Sequence, residues 1–428
     1  MKFYQEEKKE IPIIAEVEVL VLGAGPAGFS AAVNAARCGA KTMLIEQSGD
    51  VGGVATSGLM SHWTGKTRGG FYEEILERSC DADNRRLINP EKLKTVMLEM
   101  LSEEQVKLLL YTSAVEAIVE KSELKGVLIE NKSGRKAVMA EVVIDATGDG
   151  DIAARAGVPY YKGREENGKM QPMTLMFKVA HVDTKKAELP GSFEDNREVP
   201  AGNIQDLAEK HLPDPAGHVL LYKSTLPGVV TCNMTNCIDV DGTKAEDLTK
   251  AEYICRSQIE PIVDFLKEFV PGFEECFVIS SASYIGVRET RHFKGEYTLT
   301  KQDIIQARKF DDWAVTRVHF NFDVHNVEGS GLDEKGVQKH FSQKQFYTIP
   351  YRCFVPQNID NLLLAGRNIS GTHLAHSSFR VMPICAKMGQ SVGTAAALVV
   401  EEGISPRNLD VTKLQQELKK QGVKTENS

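Results

Sequence analysis

"EVEVLVLGAGPAGFSAAVNAARCGAKTMLIEQ", residues 16–47, decides the fold. Val17, Val19, Leu20, Val21 and Leu22 form the apolar run of a buried strand. Gly23, Gly25 and Gly28 follow at G-x-G-x-x-G spacing, where the strand would turn into a helix. The first glycine permits a tight turn, the second lets a pyrophosphate approach the backbone, and the third allows close helix–strand packing. Alanine-rich residues 27–38 predict the helix, with its free N–H groups facing the phosphates. "KTMLIE" predicts the next strand and ends in Glu46, placed for a ribose diol. The glycine motif alone is weak. Strand, helix and trailing acid together define a dinucleotide site.

Outward from this unit, residues 107–151 predict three or four strands joined by short polar turns, ending in "VVIDATGDGD". "IDNLLLAGRNIS" (359–370) predicts another buried strand ending at Gly366, and a helix dense in small residues follows at about 383–399. The chain is expected to leave this first domain near residue 160 and return near 345, giving parts 1–160 and 345–428 around an insertion at 161–344. Strand-like segments within 173–234 and a long helical stretch at 247–269, with Pro261 a kink position, predict a mixed sheet-and-helix cap. The fold class is α/β, a Rossmann-like domain with a β-meander and an α+β insertion.

Composition sets the bounds. The 428-residue chain carries a net charge of −8, without the basic excess of a nucleic-acid binder. Its eight cysteines contain no CxxC pair, too sparse for a disulfide scaffold, and Cys232 and Cys237 read as reduced residues in or near a strand. No basic n-region with a long apolar stretch marks the N-terminus, and no window reaches the roughly 18 apolar residues of a membrane span. A cytoplasmic protein is the expectation.

Several segments together carry a family resemblance: "VLGAGPAGFSAA", "VGGVATSG", "IDATGDGD", "IGVRETRHFKGEYTLT", "FDVHN" and "NLLLAGRNISGTHLAHSSFRVM". The chain resembles bacterial FAD-dependent oxidoreductases of the glutathione-reductase-like superfamily, related to fumarate reductase flavoproteins and ketosteroid dehydrogenases, over nearly its whole length. The resemblance implies FAD as cofactor. It implies that Gly23, Gly25, Pro26, Ala27, Gly28 and Glu46 hold its ADP half, with Gln47, Gly52, Gly53 and Val54 beside ribose and pyrophosphate. Val115 would flank the adenine, and Ala146, Thr147, Gly148 and Asp149 the middle of the cofactor. Gly366, Arg367 and Met382, at the start of the last long helix, would reach the flavin end. Only one dinucleotide fingerprint is present, so no second nicotinamide domain is expected.

Flavin chemistry on a small molecule needs a proton donor or acceptor and a group that orients the substrate. In "GVRETRHFKGEY", extended spacing puts Glu289 and Arg291 on one face and Arg288 on the other. One arginine could clamp a substrate carboxylate while another pairs with Glu289. Asp323 and His325, two apart, read as a carboxylate orienting an imidazole on one strand face. His373, His376 and Arg380 share one helical face beside small residues. "SHWTGKTRGG" adds His62, Trp63 and Arg68 on a loop that would pass near the flavin. A His-rich zinc site is weighed against the absence of HExxH or paired cysteines, and no metal is expected. The expected activity is hydride transfer between FAD and a small polar substrate, anionic or hydroxylated, with an electron partner left open. A flavin monooxygenase and a non-catalytic FAD-binding assembly protein are the alternatives.

Overall fold

The computed structural model describes residues 2–81, 83–192 and 195–425. Six strands from the N-terminal third, β1 (Ile13–Leu22), β2 (Thr42–Ile45), β3 (Lys107–Leu109), β4 (Thr112–Glu120), β5 (Glu123–Asn131) and β6 (Gly134–Asp145), lie side by side in the order β3-β2-β1-β6-β5-β4. β1 runs parallel to β2 and β6, with Val21 opposite Leu44 on one side and Ile144 on the other. The last residues of β1 are buried without alternation, because a parallel strand is covered on both faces. β4, β5 and β6 form the antiparallel meander. The strand Leu362–Leu364 adds in parallel to the end of β6, Leu363 opposite Ile144, so the C-terminal part of the chain completes the sheet.

The first helix, Pro26–Arg37, starts with proline at its first position, where no N–H is lost. It packs on the long helix Met382–Glu402. A Cβ added at Gly389 or Gly393 would lie 2.0 Å from the Ala27 carbonyl oxygen or 2.2 Å from that of Ala31. The small residues are there because the two backbones touch.

Lys387, on that long helix, is 2 % exposed and has no carboxylate partner among the described residues. Its Nζ donates to the carbonyls of Arg68 at 3.0 Å and Thr316 at 2.7 Å. Burial pulls its pKa from 10.5 down to about 7. The unfolded chain therefore holds this proton to higher pH than the folded one. Protonation costs stability below pH 7, and the penalty fades as pH rises from about 7 toward 10.5. Lys387→Met is expected to remove a rise in unfolding free energy of up to about 1.4 kcal/mol per pH unit across that window. Urea titrations at pH 7 and 9.5 measure it; an unchanged slope would refute it.

The inserted portion has its own sheet, in the order Leu221–Lys223, Val230–Cys232, Phe177–Ala180, Phe277–Ser281, all antiparallel. The helix Ala245–Phe269 backs it and runs on through Pro261 without interruption. Buried apolar residues fall into one large cluster drawn from 17–158 and 293–423, and two smaller ones from 173–285. Residues from Phe293 onward share the first core with residues 17–158. All eight cysteines are free, and burial pushes the Cys232 and Cys237 thiols up. Among the described residues no helix is long and apolar enough to cross a membrane.

Candidate active site

The glycine turn after β1 is built from close backbone contacts. Gly23 has φ +90°, and a Cβ on Gly28 would sit 1.8 Å from the Gly23 carbonyl oxygen. A Cβ on Gly25 would meet nothing within 4 Å, which leaves open space in front of a helix with no side-chain cap. These are the two conditions for a pyrophosphate to approach. Gly28→Ala is therefore expected to disrupt the turn itself. Gly25→Ala is expected to fold normally but to hold FAD at least about tenfold more weakly, a contrast read by flavin retention on dialysis beside circular dichroism. Equal loss of structure in both variants would defeat it.

Glu46 is tied into the same turn: its carboxylate accepts the Ala24 N–H at 2.7 Å and the Ser48 N–H at 2.8 Å. Gly52 donates to the Ala24 carbonyl, and Gly53, the first residue of the short turn Gly53–Ala55 that contains Val54, faces the Gly25 Cα. Gln47 is exposed nearby, and Val115 occupies an irregular register position of β4. Asp145, buried at the end of β6, accepts from the Thr147 N–H and hydroxyl and from the Ala153 N–H. It thereby fixes Ala146, Thr147, Gly148 and Asp149. Arg367 pairs with Asp149 at 3.0 Å, and Gly366, at φ +103°, passes the Ala27 side chain. Met382 opens the long helix, whose N-terminus has no side-chain cap. Both helix N-termini thus lack a side-chain cap, and each favours negative charge in front of it.

A polar cluster lies between the cap and this domain. Asp323 Oδ2 is 2.7 Å from Arg380 Nη2 and 3.4 Å from His325 Nε2. No strand runs through Asp323–His325; the pair meets in irregular chain, so the carboxylate–imidazole contact is present without the expected strand face. Burial would raise the Asp323 carboxyl, but His325, Arg380 and Arg288 hold it below the usual range. Burial and the Arg288 charge bring His325 down to about 4, so the imidazole is neutral at pH 7. Arg288 donates to the Pro172 carbonyl at 2.6 Å and makes no ion pair among the described residues. Burial lowers it to about 10, and it stays cationic at neutral pH. A cavity of about 20 Å³ adjoins it, walled by Thr174, Asn233, Thr235, Asn236 and His325. His62 packs edge-on against Tyr222 with ring centroids 4.8 Å apart, and burial takes its pKa to about 4. Burial raises the Tyr222 phenol to about 12, with Asp323 and Arg288 also acting on it, which joins His62 to the cluster.

Arg291 and His376 are elsewhere. Arg291 donates to the Asp149 carbonyl at 2.8 Å and pairs with Asp151 at 2.9 Å, bracing the domain junction. Glu289 does not pair with an arginine. Its Oε1 lies 2.7 Å from His292 Nε2 and 2.6 Å from His373 Nδ1, and its Oε2 accepts the Gln171 N–H at 2.9 Å. Burial alone would raise this carboxyl; the two imidazole hydrogen bonds hold it well below its usual value. His376 lies edge-on to His292 at 5.0 Å, fully buried, its pKa pushed far down by burial. Glu289, His292 and His373 have the donor set of a metal centre, their ligand atoms within 4.8 Å of one another. Arg164 Nε, however, donates toward His373 Nε2 at 3.4 Å. That assigns the His373 proton to Nδ1, facing Glu289, where a metal would have to displace it. Glu289 thus joins the two imidazoles in a carboxylate–imidazole network, in which His292 Nδ1 has no partner among the described residues.

Sequence reading missed Asp145, Tyr222 and Gln171. Gln171 links the two clusters, its backbone N–H on Glu289 and its side-chain Oε1 accepting the His325 backbone N–H at 3.3 Å. Only the apolar strand leading into "IDATGDGD" offered a signal, for Asp145.

The parallel sheet and the open glycine turn define a dinucleotide-binding fold. Residues 18–418 match the family described as FAD dependent oxidoreductase; the chain belongs to that family, and FAD is its cofactor. Among curated relatives it is similar to the digeranylgeranylglycerophospholipid reductase of Picrophilus torridus, 39% identical over 83 residues, covering 19% of this chain and 20% of the relative. It is also similar to the fumarate reductase (cytochrome) of Shewanella frigidimarina, 47% identical over 51 residues, 11% of this chain and 9% of the relative. The chain thus spans a fifth or less of the length of these relatives. Among solved structures it is similar to a geranylgeranyl bacteriochlorophyll reductase-like protein of Thermoplasma acidophilum, with TM-score 0.49, 13% identity and coverage of 96% and 84% of the two chains. A p-nitrophenol 4-monooxygenase of Pseudomonas putida gives TM-score 0.48, 11% identity and coverage of 95% and 84%.

Proposed function

We propose that this FAD-dependent oxidoreductase acts on a small polar substrate bearing an anionic or hydroxylated group, bound at the cluster of Arg288, Asp323, His325 and Arg380. FAD supplies the redox step, taking or giving a hydride at a substrate carbon. The single observation that carries the reading is Arg288, a largely buried cation with no carboxylate partner among the described residues, next to a neutral imidazole. An anionic substrate group would give it a direct partner, beyond the longer-range attraction of Asp323.

The protein groups then divide the work. Arg380 holds Asp323, and Asp323 orients His325. His325 moves the proton that accompanies the redox step. Because the Arg288 charge helps to depress His325, a substrate anion at Arg288 would let the imidazole recover toward its usual pKa, making it a better base when substrate is present. His62 and Tyr222 form one wall, and Arg291 and His376 serve the surrounding framework. FAD contacts by the residues of the glycine turn, the Ala146–Asp149 turn and the helix beginning at Met382 belong to the same reading, as does a cytoplasmic location.

Anaerobic mixing of holoenzyme with a panel of small hydroxy and unsaturated acids tests it. Bleaching of the flavin band, or reoxidation of reduced enzyme, is the expected result. Turnover seen only with oxygen and a nicotinamide reductant would favour a monooxygenase and overturn the reading.

A further inference from the structure

On the FAD domain, a cleft of about 630 Å³ is lined by none of the residues placed in the candidate active site, although its side at 68–70 belongs to the loop expected from sequence to pass near the flavin. Arg68, Arg317 and Lys424 border it, and none of the three makes an ion pair among the described residues. Arg85, also on the rim, is already paired with Glu73 at 3.5 Å and Glu77 at 3.3 Å. Glu73 and Glu77 line the cleft too and are taken up by Arg85, so Arg68, Arg85, Arg317 and Lys424 against two carboxylates leave an excess of positive charge there, in a chain of net charge −8.

Their backbones are held together by one buried hydrogen-bond cluster. Lys387 Nζ joins the Arg68 carbonyl to the Thr316 carbonyl, and the Thr316 hydroxyl donates to the Lys424 carbonyl at 2.8 Å. The three cations thus project from backbone whose positions are fixed relative to one another. Arg317 takes φ +52° at an irregularity of the strand Trp313–Val318, a conformation costly for a non-glycine residue. Its guanidinium stacks over the Phe346 ring at 5.3 Å, which limits its rotamers. Fixed cations at the edge of a roomy cleft are the chemistry of phosphate recognition.

We propose that this cleft binds a phosphate-bearing small molecule, with Arg68, Arg317 and Lys424 as the phosphate contacts. The volume is that of a small-ligand site rather than of a single ion. The proposal does not depend on the substrate reading above.

FAD-saturated holoenzyme is titrated with inorganic phosphate, inorganic pyrophosphate and ADP at constant ionic strength, following melting temperature and heat of binding. Saturable binding is expected, stronger for pyrophosphate or ADP than for phosphate, with flavin absorbance unchanged. Equal binding of phosphate and pyrophosphate would assign the site to free phosphate. Arg68→Ser and Lys424→Gln change surface side chains, and Arg317→Gln keeps the same backbone strain. Each is expected to weaken binding about tenfold, while Arg85→Gln is not. A response no larger than sodium chloride gives, or one that survives the Arg68→Ser/Arg317→Gln pair, overturns the proposal. So does release of flavin by ADP, which would place the nucleotide in the cofactor cleft instead.

Discussion

His325→Ala lowers the rate of flavin reduction by substrate about 10²- to 10³-fold while the enzyme keeps its flavin and its fold; that is the result expected from general acid–base catalysis at this position. The imidazole contacts Asp323, not the dinucleotide turn, so cofactor content is a clean control. Stopped-flow reduction under anaerobic conditions measures the rate, and the flavin-to-protein absorbance ratio measures occupancy. Asp323→Asn should fall between wild type and His325→Ala, because the amide can still touch the ring but no longer stabilises its charged form. Arg288→Gln should behave differently. Removing the charge that depresses His325 raises the imidazole pKa from about 4, so the acid limb of the pH–rate profile moves to higher pH. The base form is needed, and activity therefore falls as pH drops through that value. KM for an anionic substrate rises at the same time. Full activity of His325→Ala would remove this residue from the mechanism.

The second large effect concerns stability. Glu289 is fully buried and receives three N–H groups, from His292, His373 and Gln171. Glu289→Ala leaves those donors without their acceptor and is expected to cost about 3–5 kcal/mol. Glu289→Gln keeps the shape and one acceptor oxygen. Its NH₂ would oppose a donor, for about 1–3 kcal/mol. The sign with pH follows from the depressed carboxyl. Its contribution is complete above the unfolded value of about 4.3 and is lost as pH falls through the lower folded value. Urea midpoints at pH 7 compare the variants. A loss below about 1 kcal/mol for the alanine variant would mean that water replaces the carboxylate, contrary to the burial of all three side chains.

How much could be read in advance depended on whether a feature was local. The strand, turn and helix at 17–37 are specified by neighbours in sequence: an apolar run, glycines at steric pinch points and a proline at the first helical position. The final helix was legible for the same reason, although its small residues turned out to report the contact at Gly389 and Gly393. The polar clusters were legible only as a set of names. His373 and His376 do share a short helix, but what each touches depends on chain far away: His373 meets Glu289, and Arg380 meets Asp323. Spacing along a strand suggested that Glu289 would pair with an arginine; the tertiary fold instead brings two histidines to it. Lys387 gave no signal, because a lysine on a helix is ordinarily solvated and nothing local reveals that Arg68 and Thr316 close over it.

The strand Leu362–Leu364, which completes the parallel sheet against β6, has a consequence for how the protein comes into being. Asn368, just beyond it, hydrogen-bonds the Asp145 carbonyl across 223 residues of chain. On a ribosome adding roughly 5–20 residues per second, that interval is roughly 10–45 s. Throughout it the nascent N-terminal sheet keeps the edge of Val143, Ile144 and Asp145 unpaired, while the cap, whose buried cores come from 173–285 with Leu59 packed against one of them, has all of its chain in hand. The insertion matures before the domain it interrupts. The growing chain therefore carries an open, apolar sheet edge until about its last sixth is made, and that edge is where a chaperone, or a neighbouring nascent chain, would attach.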